Sequence, residues 1–226
     1  MRLLPALWLS LTLSLSLTSC ADYEIKNIAK SDIDLVADEF IAETRRAVQE
    51  LVVKLYKRNP RQLQQNPGMT VAGRLAQLRV NRYELDFPEL GGRQDVAAME
   101  LAFDPHFTGD RVFALAVGLG SMLRESYQYK PEMYLFDRLD PDVLNTSARN
   151  VEVLLWKLKN TRQSDGTHYI ITYEYDGVVD NLSFERLFGK IIILQEMMAR
   201  IAGDSDDRAV TRAVHAVPKA FIPLPI

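Results

Sequence analysis

The stretch Val112-Phe113-Ala114-Leu115-Ala116-Val117-Gly118-Leu119-Gly120-Ser121-Met122-Leu123 carries no charge, and Arg111 and Arg124 close it on either side. A helix that is apolar on every face is a buried one. A membrane span needs about 20 apolar residues, so this stretch is too short to cross a bilayer and reads as the central helix of a core, capped by Asp110. Ala114 and Gly118, and separately Ala116 and Gly120, lie four apart. Those small surfaces let neighbouring helices come close. Two glycines cost the helix about 2 kcal/mol relative to alanine, and close packing or a bend is expected to offset that.

Upstream, Ser31 offers a cap to a long amphipathic helix with Asp32 and Asp34 in its first turn. Ile33, Val36, Phe40, Thr44, Val48, Leu51 and Leu55 recur at helical steps, and Ala37, Ile41, Ala47 and Val52 widen the stripe. This helix is expected to end near Arg58-Asn59, before Pro60. A polar connector follows, then a shorter helix over 70–80. The alternation in Tyr83-Glu84-Leu85-Asp86-Phe87 suits a short strand, and a brief helix follows at 94–103.

Downstream, Asp140-Pro141 is a start signal for a helix, with Leu144, Ala148, Val151, Leu154, Leu155 and Leu158 on its inner face. Tyr169 to Tyr175 is rich in β-branched and aromatic residues, the best strand candidate. Ser183 caps a long helix through Phe184, Leu187, Phe188, Ile191, Leu194, Met198 and Ile201, expected to end at Gly203. Met197 and Met198 are both expected on its inner side. A shorter helix over 206–216 and an apolar tail, Pro218 to Ile226, complete the chain. The expected fold is mainly α: a single helical domain over 31–226, with at most one small β-hairpin from 83–87 or 169–175.

The N-terminus has its own pattern. Arg2 precedes an uncharged, leucine-rich run that ends in small hydroxylated residues, the three-part layout of a secretory signal. A transmembrane anchor is the competing reading. Ser10, Thr12, Ser14 and Ser16 interrupt the run, and no basic stop-transfer cluster follows. The four residues Leu17-Thr18-Ser19-Cys20 resemble the lipobox of bacterial lipoproteins. The resemblance covers the signal region only. It implies removal of 1–19, a diacylglyceryl group on Cys20, and a tether over 20–30. In that class Ala21 is no inner-membrane retention signal, which favours an outer-membrane location facing the periplasm. Cys20 is the only cysteine, so the domain can form no internal disulfide.

Composition is that of a folded globular chain, 47% hydrophobic and 25% charged. The net charge is −3, and loss of Arg2 takes it to −4. That mild acidity provides no electrostatic footprint for nucleic acid. The lipid, in place of a basic face, is expected to hold the protein at a membrane.

No motif names a reaction or calls for a cofactor. The three histidines, His106, His168 and His215, have no helical pair spacing for zinc. Asp104-Pro105-His106 with Asp110 is the most site-like cluster, able in principle to share a metal or a proton for hydrolysis. The plainer reading makes it a solvated loop with Asp110 as a cap. His168 reads as a surface residue at a strand start, and His215 as a helix-end cation. Gly118-Leu119-Gly120-Ser121 lacks the order of a nucleophile elbow. Tyr127, Tyr129, Met133, Tyr134, Phe136 and Trp156 are candidates to line a pocket for a lipid or quinone-like ligand, or else are core. The leading expectation is a non-enzymatic, lipid-anchored scaffold or accessory with an envelope protein partner. A binder of an apolar small molecule or lipid comes second, and a metal-dependent hydrolase at Asp104, His106 and Asp110 third.

Overall fold

The computed structural model describes residues 30–80, 85–135, 137–172 and 182–212, with the backbone alone at 80 and 205–212. The expected signal peptide, Cys20, nearly all of the expected tether, Phe136, His215 and the apolar tail lie outside the described residues. Six α-helices are present among the described residues: α1 (Asp32–Arg58), α2 (Val71–Val80), α3 (Asp95–Leu101), α4 (Arg111–Glu125), α5 (Pro141–Asn160) and α6 (Ser183–Arg212). They form a single helical domain, and none is long and apolar enough to cross a membrane.

Local chemistry sets the helix starts. The Ser31 hydroxyl accepts from the Asp34 N–H at 3.3 Å while the Asp34 carboxylate accepts from the Ser31 N–H at 2.6 Å, a reciprocal capping box. Asp110 accepts from the Phe113 N–H at 2.9 Å. Asp140 accepts from the Asp142 N–H at 2.8 Å, with Pro141 in the first turn where its missing donor costs nothing.

Helix α4 is the centre, and every residue from Val112 to Leu119 is buried in it. Helix α1 packs on both α4 and α6, α3 on α4, and α5 along α6. One core cluster joins α1 (Val48 to Tyr56), α4, and the first half of α6. A second joins Ala37 and Ile41 to Tyr127, Met133, Leu144 and Met198. Thus α1 and α4 lie antiparallel, with Ile41 beside Tyr127 at one end and Val48 beside Ala116 further along.

The two glycines of α4 behave differently. A Cβ on Gly118 would stand 2.5 Å from the Asp95 carbonyl oxygen and 2.6 Å from the Met99 nitrogen. The missing side chain lets α3 press its first turn onto α4, as the small-residue spacing implies. A Cβ on Gly120 would meet only Leu85 Cδ1, at 3.5 Å. That glycine admits no helix and instead borders an open space.

Several expectations are corrected. Among the described residues there is no strand, only an isolated antiparallel bridge between Arg162 and His168 around the Asp165-Gly166 turn. Residues 85–87 and 169–172 are not strands, and the rest of both candidates lies outside the described residues. Leu85 is buried, and Phe87 meets the Phe113 ring edge-on at 4.9 Å between centroids. The two described apolar positions of that alternation, Leu85 and Phe87, therefore face the core without a partner ladder. At 170–172 the side chain of Asn59 replaces a neighbouring strand. Its amide accepts from the Ile171 N–H at 2.7 Å and donates to the Ile171 carbonyl at 2.9 Å. Helix α6 does not stop at Gly203 but runs on to Arg212, so the separate helix expected from 206 is its continuation. A Cβ on Gly203 would meet the Pro141 ring at 3.7 Å, an ordinary contact. Met198 is buried but Met197 is exposed, one position round the helix.

Candidate functional site

Asp104, His106 and Asp110 do not converge. The Asp104 carboxylate turns back on its own loop and accepts from the His106 N–H at 2.8 Å, leaving the imidazole exposed. The loop is gathered by Arg111, whose guanidinium donates to the carbonyls of Ala102 (3.1 Å), Asp104 (2.8 Å) and Phe107 (2.6 Å). Asp110 points the other way, into the core. No group of three metal-ligating side chains comes together among the described residues.

Asp110 instead joins a buried ionic cluster. Tyr56 donates to its Oδ2 at 2.8 Å, and Arg74 Nε lies 3.3 Å from the same oxygen, an ion pair whose geometry stops short of a hydrogen bond. Arg74 is wholly buried and binds Glu89 with both ends of its fork, at 2.5 and 2.9 Å. Burial pushes the Asp110 carboxyl up, beyond what the Phe113 N–H, the Tyr56 hydroxyl and Arg74 restore. Burial would likewise raise Glu89, but the hydrogen bonds and charge of Arg74 and the Asn66 amide together outweigh it and hold Glu89 low. Such a cluster ties α1, α2 and the start of α4 together. Glu89 is its solvent-facing end, where the carboxylate also accepts from the Asn66 amide at 2.7 Å, while Asp110, Tyr56 and Arg74 are buried.

Ser121 is equally occupied. Its hydroxyl accepts from the Asp95 N–H at 2.7 Å and donates to the Val117 carbonyl at 2.8 Å, supporting the strained entry to α3, where Asp95 has φ +50°. His168 is half-buried, and burial followed by nearby Arg162 lowers its pKa.

The space beside Gly120 is the candidate site. A cavity of about 390 Å³ lies among α1, α2, α4 and the turn after α4. Its walls include Ile41, Val48, Leu78, Leu85, Ala116 and Leu123. That volume falls within the range of about 300–1,000 Å³ found for small-molecule clefts, which are mostly apolar with a few placed polar groups. Thr44 and Tyr127, both lining residues, are 4% and 2% exposed. Burial raises the Tyr127 phenol, opposed by the nearby Gln195 amide and Thr44 hydroxyl. Even so, Tyr127 Oη, Thr44 Oγ1 and Gln195 Nε2 complete no hydrogen bond of ordinary geometry. Gln195 Oε1 is satisfied by Ser126 at 3.1 Å and Ser147 at 3.0 Å, which fixes the amide behind the cavity.

Of the aromatic residues proposed to line a pocket, Tyr127 and Tyr129 do so. Met133 is buried in the second core cluster, Tyr134 is exposed, and Trp156 sits on a shallow groove between α5 and α6, 61% exposed. Sequence reasoning missed Thr44 as a site residue although it interrupts the apolar stripe of α1. It also missed Arg74, which takes an inward position one turn before Leu78. No family model matches the chain, and no curated protein or solved structure matches it.

Proposed function

We propose that the chain is an exported, non-enzymatic cell-envelope lipoprotein, anchored through Cys20, whose helical domain binds a lipid or other apolar small molecule. The observation that carries the binding reading is the cavity beside Gly120, its walls largely apolar with the buried hydroxyls of Thr44 and Tyr127 among them. The recess is partly open, and a ligand seated in it would remove apolar wall from water. Outer-membrane placement facing the periplasm follows from the lipobox resemblance and Ala21.

The test is to purify the full lipidated protein from detergent-solubilised envelope and extract it for organic-soluble molecules. A stoichiometric small molecule or lipid, absent from a Gly120→Leu preparation, is the expected result. Equal recovery from both preparations overturns the binding reading. Shedding of the Cys20→Ala protein from membranes checks the anchor, and full retention would remove that part.

A scaffold or accessory role with an envelope protein partner is the second reading. Trp156 and Val153 on α5 and Ile193 on α6, all exposed, favour it. A photo-crosslinking residue at position 156 in intact cells should then capture one reproducible envelope protein. Absence of any adduct would leave this reading unsupported.

A further inference from the structure

The turn between α4 and α5 holds two apolar side chains out in water, Tyr134 at 42% exposed and Leu135 at 55%. Its backbone is tied down on both sides of them. The Tyr134 N–H donates to Asp137 Oδ2 at 2.9 Å, and the Asp137 N–H donates back to the Tyr134 carbonyl at 2.7 Å. Lys130 pairs with the same carboxylate, and the Met133 N–H donates to Asp38 Oδ1 on α1 at 2.7 Å. Lys30, at the start of the described chain, is fixed to this turn. It pairs with Asp38 and, at 3.2 Å, with Glu132, and its ammonium lies 4.8 Å from the centre of the Tyr134 ring. Leu35, three residues before Asp38 and so on its face of α1, is exposed as well.

That placement bears on the anchor. With a lipid on Cys20, Lys30 follows ten residues later, a span of at most about 35 Å when fully extended. Helix α1 has 27 residues, about 40 Å at the helical rise per residue. A domain standing on the far end of α1 would hold Lys30 beyond the reach of that tether. The tether therefore favours the near end, where Tyr134, Leu135 and Leu35 are. Between 128 and 142 four acidic residues outnumber two basic ones, so attraction to anionic lipid does not draw this end down, and apolar contact has to. Tyrosine suits a membrane boundary because its ring is apolar and its hydroxyl stays wet. An exposed leucine beside it leaves water on insertion. We infer that the turn carrying Tyr134 and Leu135 docks on the surface of the bilayer that holds the Cys20 lipid. This rests on the anchoring reading above and adds the face that meets the membrane. The same turn contributes Tyr129, Lys130 and Pro131 to the wall of the recess, so docking brings that wall toward lipid as well.

The experiment uses the full lipidated protein in phosphatidylcholine vesicles, which carry no net charge. A polarity-sensitive fluorophore is attached through Leu135→Cys or, just past the far end of α5, through Ser164→Cys, an exposed position. With Cys20 acylated, the introduced thiol is the one that reacts, because the chain has no other cysteine. A nitroxide in the lipid headgroup region should quench the label at 135 at least threefold more than the label at 164. Adding Tyr134→Asp should cut the quenching at 135 at least twofold. Equal quenching at the two sites, in protein that floats with the vesicles, overturns the inference and leaves the anchor standing. Quenching at 135 that Tyr134→Asp does not change also overturns it, because the label and not the turn then enters the lipid. Protein whose mass shows no lipid on Cys20, and which does not float, overturns the anchoring reading and this inference together.

Discussion

Arg74 lies flat against Phe113, its guanidinium carbon 3.8 Å from the ring centroid, while the fork grips Glu89 and the inner nitrogen faces Asp110. An arginine stem and its weakly hydrated head tolerate such burial better than a lysine would. The arrangement sets two carboxylates against one guanidinium, so removing the cation leaves negative charge without compensation. Arg74→Met, close in volume, is expected to cost about 3–5 kcal/mol, the range for breaking a buried ion pair from one side. Adding Asp110→Asn and Glu89→Gln should recover much of that loss. Urea unfolding of the single and triple variants checks both, and equal destabilisation of the two would mean that packing, not charge, is what Arg74 supplies.

Gly118 and Gly120 make opposite predictions on one helix. Gly118→Ala drives a Cβ into the backbone of α3, and overpacking of this kind costs about 1–3 kcal/mol. Gly120→Ala meets no backbone, and the gain in helix propensity is about 1 kcal/mol. The unfolding midpoint should fall for the first and rise for the second. A fall in both would mean that the cavity wall beside Gly120 cannot admit a methyl group.

Asn59 joins the end of α1 to the segment at Ile171 through three hydrogen bonds, including 2.8 Å from its amide nitrogen to the Leu55 carbonyl. It is 7% exposed, so water does not replace these bonds when the amide is lost. Asn59→Ala should cost about 1–3 kcal/mol. It should also speed hydrogen exchange at the Ile171 amide more than at Val117. Unchanged protection at Ile171 would show that something else holds the segment.

The helices were legible because their signals are local. Ser31, Asp110 and Asp140 each cap the helix expected of them, and the uncharged run of α4 is buried as its composition requires. The strand candidates misled because alternation reports which side chains face inward, not whether a neighbouring strand exists. At Ile171 the answer lies in Asn59, 112 residues away. The cavity was only partly visible for the same reason. Tyr127 was flagged as aromatic, but Thr44 and Arg45 reach it from another helix, and sequence spacing carries no record of that meeting. Asp104 and His106 looked like a site because they are near in sequence, and the backbone turns them away from Asp110.

The acid behaviour of the buried cluster follows from its two carboxyls, whose shifts oppose one another. Glu89 is held below its ordinary value of 4.5, because the hydrogen bonds and charge of Arg74, with the Asn66 amide, together outweigh burial. Its stabilisation is complete above the unfolded pKa and is lost as pH falls below 4.5 and through the lower folded value. Asp110 is held above its ordinary value of 3.8 by burial. Ionising it in the folded state therefore costs stability, a penalty that grows as pH rises from 3.8 through the folded value and is relieved in acid. Protonating Asp110 thus offsets part of what protonating Glu89 removes. Glu89→Gln should flatten the loss of stability between pH 5 and pH 3, and Asp110→Asn, which keeps a capping oxygen, should steepen it (roughly the range in which carboxylates titrate). Urea midpoints measured across that range decide the matter. If both variants flatten the profile, Asp110 is stabilised as the anion, and the pull of Arg74 and Tyr56 on it exceeds the cost of burying it.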